Sequence, residues 1–197
     1  MAATRARALA AAIELVGASG VRSLTHARVD AAADLPKGST SNHFRTKAAL
    51  IAGVIDAIAT QERAELAGGP GAAAGDPAGP EDAADETRRD PIAAVVDAMS
   101  ATLIDLTGAH GSRTRARLAL FLELVSEPEL RAPLEAQRRE YEAFARGLLA
   151  SLGATAPDAA ARTLMATLDG LILHRVTVDP DAPVRPAIDL VLRACLA

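Results

Sequence analysis

The sequence predicts an all-α fold in two domains, built from about nine helices. Three observations carry that reading. Half of the residues are apolar, much of that share is Ala and Leu, and both favour helix. Aromatic residues make up only 2% of the chain and no alternating β-branched run occurs, so nothing supports a strand. Apolar residues return at three- and four-residue spacing in one stretch after another, with Pro and Gly between them.

The first helix is expected from about Thr4 to Ala18, with Leu9, Ile13 and Val16 on its apolar face and Gly20 beyond its end. The start of the chain superficially resembles a secretory leader. Glu14 interrupts its apolar region and the apolar residues keep helical spacing, so it is read as a retained helix of a cytoplasmic protein. Arg5 and Arg7 stand before the apolar stripe, free either to reach a DNA backbone or to remain solvated.

Residues 24–50, LTHARVDAAADLPKGSTSNHFRTKAAL, read as two short helices, a turn and the start of a third. Leu24, Val29, Leu35, Phe44 and Leu50 form a small core, and Thr25 caps the helix from His26 to Ala33. Asp34 and Leu35 make the turn, and Pro36 suits the opening of the next helix. That helix, Lys37 to His43, is polar nearly all round. Such a helix packs poorly and makes sense if its outer face meets a hydrogen-bonding partner, as in the major groove of DNA. Thr46 caps a fourth helix, which carries Leu50, Ile51, Val54, Ile55 and Ile58 to about Leu66. Lys47 beside its free first-turn amides suggests a phosphate clamp.

The order Thr25, Ala31-Ala32-Ala33, Lys37-Gly38, His43-Phe44, Lys47 and Leu50 resembles the helix-turn-helix of the tetracycline-repressor (TetR) family of bacterial regulators. The resemblance is strong over the first third of the chain and extends to the rest only as an all-helical domain. Two positions depart from it: Asp34 replaces a usual turn Gly and Ser41 replaces a usual Tyr, which puts that Tyr's phosphate contact in doubt. The resemblance implies a three-helix DNA-binding domain over residues 1–50, a connecting helix over 51–66, and a ligand-binding and dimerisation domain over 91–197. It implies DNA contacts among Thr25, His26, Arg28, Lys37, Gly38, Ser39, Thr40, Asn42, His43, Thr46 and Lys47. Thr40 and Asn42 are expected to read bases.

The formal net charge is −4, but it is unevenly placed. Residues 1–50 hold seven basic and three acidic side chains, a net +4, and the remainder fourteen basic and twenty-two acidic, a net −8. A basic N-terminal domain on an acidic body suits docking on phosphate. Residues 67–90 are rich in Gly, Pro, Ala and acids without a large apolar residue, and are expected to form a flexible loop.

Five further helices are expected beyond the loop. The fifth starts at Pro91, with Ile92, Val95, Val96, Met99, Leu103 and Leu106 buried. The sixth, about Arg113 to Ser126, has Leu118, Phe121, Leu122 and Val125 inside and a solvated first turn at Arg113, Arg115 and Arg117. The seventh runs from Pro128 to about Leu152, the eighth from Pro157 to about Val176, and the ninth from Ala187 to Leu196. Cavities form between helices of bundles. Met99, Leu103, Phe121, Tyr141, Phe144, Met165 and Leu168 are the candidate lining of a mainly apolar effector site. The last two helices are the expected homodimer interface.

Catalysis finds little support. The four histidines, His26, His43, His110 and His174, are scattered, and no nucleophile elbow, phosphate loop or metal-ligand spacing occurs. Cys195 is the single cysteine, which excludes an intrachain disulfide. No run is long and apolar enough to cross a membrane. The expected protein is a ligand-released repressor that binds a palindromic operator as a homodimer, with no cofactor or metal and no membrane partner. Two alternatives are a ligand-binding dimer that does not bind DNA and a small-molecule enzyme. A gel shift with its own upstream region tests the first, and activity surviving deletion of residues 1–50 the second.

Overall fold

A computed structural model describes residues 2–68 and 90–197. Most of the loop expected at 67–90 therefore lies outside the described residues. Among them there are nine α-helices, one short 3-10 turn and no strand. The helices are α1 (Ala2–Ser19), α2 (His26–Ala32), α3 (Ser39–His43), α4 (Lys47–Gly68), α5 (Pro91–Thr107), α6 (Gly111–Glu123), α7 (Pro128–Ser151), α8 (Pro157–Thr177) and α9 (Arg185–Leu196). They form two compact units, one of residues 1–64 and 109–137, the other of 65–108 and 138–197. This grouping departs from the boundaries that the resemblance implies, because α6 and the first part of α7, to Gln137, join the N-terminal helices.

The first unit has one continuous apolar core. Leu9, Ala12, Ile13 and Val16 of α1 meet Val29 of α2, Phe44, the α4 stripe Leu50, Ile51, Val54, Ile55 and Ile58, and Ala116, Leu120 and Leu134. The α1–α6 crossing is close: a Cβ on Gly17 would stand 2.2 Å from the Ser112 carbonyl oxygen, so only glycine fits.

The expected inner face of α6 is corrected. Leu122 is 74% and Val125 65% exposed, whereas Ala116, Leu120 and Leu124 are buried. The expected solvated arginines are corrected as well. Arg113 is buried, and Arg117 pairs with the buried Glu62 carboxylate at 3.6 Å, its side chain 15% exposed. Gln137 donates its amide N–H to Glu62 at 2.8 Å. Only Arg115 stays exposed, donating to the Gly17 carbonyl at 3.2 Å. The buried stripe of α6 is partly polar, which hid its phase from a reading based on apolar spacing.

In the second unit, Val96, Leu103, Ala145, Leu149, Leu164, Ile172, Ile188 and Leu192 are buried. Asp90 caps α5 through the Ile92 amide at 3.0 Å and accepts from Arg193 at 2.8 Å. Those bonds hold its carboxyl below the usual carboxylate range. Arg185 pairs with Asp97 at 2.7 Å, and Arg175 donates to Thr107 at 2.8 Å, so ion pairs and hydrogen bonds join α9 and α8 to α5.

Candidate nucleic-acid interface

The turn between α2 and α3 is assembled from short-range chemistry. The Thr25 hydroxyl accepts from the Arg28 amide at 3.3 Å, which starts α2. Asp34, in place of a glycine, takes a left-handed backbone with φ 48°, a conformation that Asp tolerates better than most residues. Arg7 of α1 donates to the carbonyls of Ala33 and Asp34 at 2.7 and 3.0 Å, satisfying oxygens freed where α2 ends. Arg5 lies over the Phe44 ring, 5.3 Å from its centroid. Both arginines thus serve the fold of this unit, which explains their place before the α1 stripe.

Helix α3 starts two residues later than the sequence suggests. Gly38 has φ 91°, so Pro36 and Lys37 stay in the turn and the helix opens at Ser39. Gly38 brings no capping side chain. The acceptor comes from α2 instead. Asp30, 4% exposed, accepts from the Gly38 amide at 2.8 Å, the Thr40 amide at 2.8 Å and the Thr40 hydroxyl at 2.5 Å. Burial alone would push the Asp30 carboxyl up. The hydrogen bonds from Thr40 and Gly38, with the nearby His26 charge, outweigh it and hold Asp30 below its ordinary value.

Thr40 is therefore withdrawn as a base reader: it is fully buried and its hydroxyl is committed to Asp30. His26 is half-buried, and its Nε2–H donates to the Phe44 carbonyl at 2.6 Å, so that atom faces the end of α3 rather than outward. The other expected positions remain accessible. Thr25, Arg28, Lys37, Asn42, Thr46 and Lys47 are exposed, and Gly38, Ser39 and His43 are half-buried. Thr46 accepts from the Ala49 amide at 3.0 Å and so caps α4. Ser41, which stands where the resemblance expects Tyr, turns its hydroxyl back to the Gly38 carbonyl at 2.8 Å. Asp30 was missed in the sequence; the available signal was the single acid of α2, set among alanines, Val29, His26 and Arg28.

The seven residues expected around an effector do not gather in one place. Phe121 belongs to the first unit, under the Arg131 guanidinium at 5.6 Å, which corrects its placement in the C-terminal bundle. Phe144 is 49% exposed and Leu103 is core. Met99, Tyr141, Met165 and Leu168 are half-buried in the second unit. A shallow cleft of about 240 Å³ in that unit is lined by Arg139, Glu142, Ala143, Arg146, Asp158 and Ala161, and by none of the seven.

The tetracyclin repressor-like C-terminal domain matches residues 90–197. The chain belongs to the TetR family. The fold is similar to a TetR-family transcriptional regulator from Streptomyces coelicolor, at TM-score 0.74 and 23% identity over 100% of this chain and 95% of that one. A second TetR-family member from Streptomyces coelicolor A3 is 26% identical over 98% of both chains, with TM-score 0.66. The multidrug binding protein EbrR, complexed with malachite green, is 25% identical over 98% of both chains, with TM-score 0.65. No curated protein sequence matches the chain. As a TetR-family chain, this protein is a transcriptional regulator by class. Among the described residues, no single helix is long and apolar enough to cross a membrane.

Proposed function

We propose that this TetR-family protein is a repressor that binds a near-palindromic DNA operator as a homodimer and is released by a small, mainly apolar molecule. The observation that carries the DNA-binding part is the outward set around α3. Asn42 is exposed on a helix whose inner side is pinned by Asp30, Lys37 is exposed in the turn before it, and Thr46 and Lys47 stand beside it at the start of α4. In this reading Thr25, Arg28, Lys37, Thr46 and Lys47 contact phosphates, with the first-turn backbone at His26 and the Gly38 backbone close by. Ser39, Asn42 and His43 face the base edges. The basic balance of residues 1–50 supports the docking direction.

The effector part is supported by the likeness to EbrR, which was crystallised with malachite green and with proflavin. Met99, Tyr141, Met165 and Leu168, half-buried in the second unit, are the side chains proposed to meet such a molecule. Selection on random duplexes tests the whole reading. It should enrich an inverted repeat, and addition of the effector should dissociate it. Binding with no enriched sequence and a purely salt-driven affinity would sink the repressor reading.

A further inference from the structure

We infer that Asp30 is the positioning residue of the recognition helix: its bond to Thr40 and the Gly38 and Thr40 amides sets how α3 is rolled and so which side chains face DNA. The inference rests on the DNA-binding reading above and adds a residue that makes no contact with DNA itself. Helix α3 has only five residues, Ser-Thr-Ser-Asn-His, too few to hold a helix by themselves. None is a large apolar side chain, and Thr40 is the one that is buried. Nothing within the helix therefore anchors it through hydrophobic packing. Gly38 supplies no capping side chain either.

Asp30 performs both tasks from across the turn. Its Oδ2 accepts from the Gly38 amide, and its Oδ1 from the amide and hydroxyl of Thr40. Charge-assisted bonds of this kind are about twice as strong as neutral ones, and the site is buried, so water competes weakly. At 3.6 residues per turn, two residues separate Thr40 from Asn42 by roughly 200°. Fixing Thr40 inward therefore fixes Asn42 outward. A roll of α3 that released Thr40 would turn Asn42 away from a base edge while leaving Lys47 and Thr46 on α4 where they are. Asp30 thus governs discrimination between sequences more than general affinity for phosphate.

The test compares the wild-type protein with Asp30→Asn, Thr40→Val and Thr40→Ser, all as full-length chains. Asp30→Asn keeps the shape but gives an N–H₂ where an acceptor is needed. Amide hydrogen exchange at Gly38 and Thr40 should speed up by at least about tenfold, with Val54 and Ile55 of the α4 core unchanged. Affinity for the selected operator should fall at least about tenfold further than affinity for random duplex. Thr40→Val, a milder change should Asp30→Asn fail to fold, should move both readouts the same way. Thr40→Ser, which keeps the hydroxyl, should restore wild-type behaviour. Equal acceleration at Gly38, Thr40, Val54 and Ile55, or parallel loss on operator and random duplex, would overturn the inference and leave Asp30 a general stabiliser. If the wild-type protein enriches no sequence, the repressor reading fails on its own, and unchanged exchange at Gly38 and Thr40 would separately overturn the hold of Asp30 on α3.

Discussion

Gly53 of α4 lies directly against the Phe44 ring, so close that a Cβ at that position would stand 2.5 Å from Cε1 and 3.3 Å from a methyl of Leu9. The contact places the residue that closes α3 against the second turn of α4 in the buried core. Two effects compete for Gly53→Ala. Helix propensity favours Ala by about 1 kcal/mol in a helix interior. Overpacking a filled core costs about 1–3 kcal/mol, and Phe44, 5% exposed, has little room to yield. Overpacking should win, lowering stability by up to about 2 kcal/mol in urea unfolding. A variant more stable than wild type would show that the ring moves freely.

The lowered Asp30 carboxyl makes a pH prediction. A carboxylate whose folded value lies below its unfolded value, about 3.9, stabilises the fold above that unfolded value. The contribution is lost as pH falls from there through the folded value. Wild-type protein should therefore lose stability below about pH 4 more steeply than Asp30→Asn, which has no such group to protonate. Denaturant midpoints at pH 7, 4 and 3 measure the difference, and equal slopes would assign the acid limb to other carboxylates.

Lys47 is exposed in the first turn of α4, beside the Thr46 cap. A phosphate contact carries no sequence information. Lys47→Ala should weaken binding to every duplex to a similar degree and reduce the salt slope by about one unit. An unaltered slope in a salt titration would take Lys47 out of the interface.

The homodimer interface proposed on the last two helices is tested only at side chains that the single chain leaves exposed. Leu192 is fully buried in the single chain, so Leu192→Glu would test folding and not association. Leu173 on α8 and Leu190 on α9 are 48% and 73% exposed, apolar side chains without cover in the single chain. Replacing both by Glu should give folded monomers that bind DNA poorly, since an interface there would have to bury unpaired charge. Sedimentation showing an intact dimer would place the interface elsewhere.

Much of the first unit was legible because local rules write it. Thr25 and Thr46 cap their helices through their own hydroxyls, and Asp34 adopts the backbone that its side chain permits. Long-range polar contacts were not legible. Asp30 satisfies amides eight and ten residues away, Arg7 reaches carbonyls beyond α2, and Glu62 meets Gln137 across 75 residues. Periodicity in apolar residues misses a buried stripe in which Arg113 and Thr114 stand with Ala116 and Leu120, Arg117 half-buried beside them, and so it misphases α6. Thr40 was a different failure: helical rotation alone sets it opposite Asn42, so both could not have faced DNA.

With Thr40 turned inward, the operator-binding proposal leaves base reading by the middle of α3 chiefly to Asn42, which is exposed. An amide offers a donor and an acceptor together, the pattern that matches the edge of adenine. Ser41 lies beside it, but its hydroxyl is occupied by the Gly38 carbonyl. Asn42→Ala removes no capping or core contact of α3, so stability should hold. The loss should appear at the selected operator, about 1–3 kcal/mol, with little change on random duplex. The competing role is a phosphate contact taken over from the Tyr that Ser41 replaces. In that case operator and random affinities would fall together, and the two are separated by measuring both at one salt concentration.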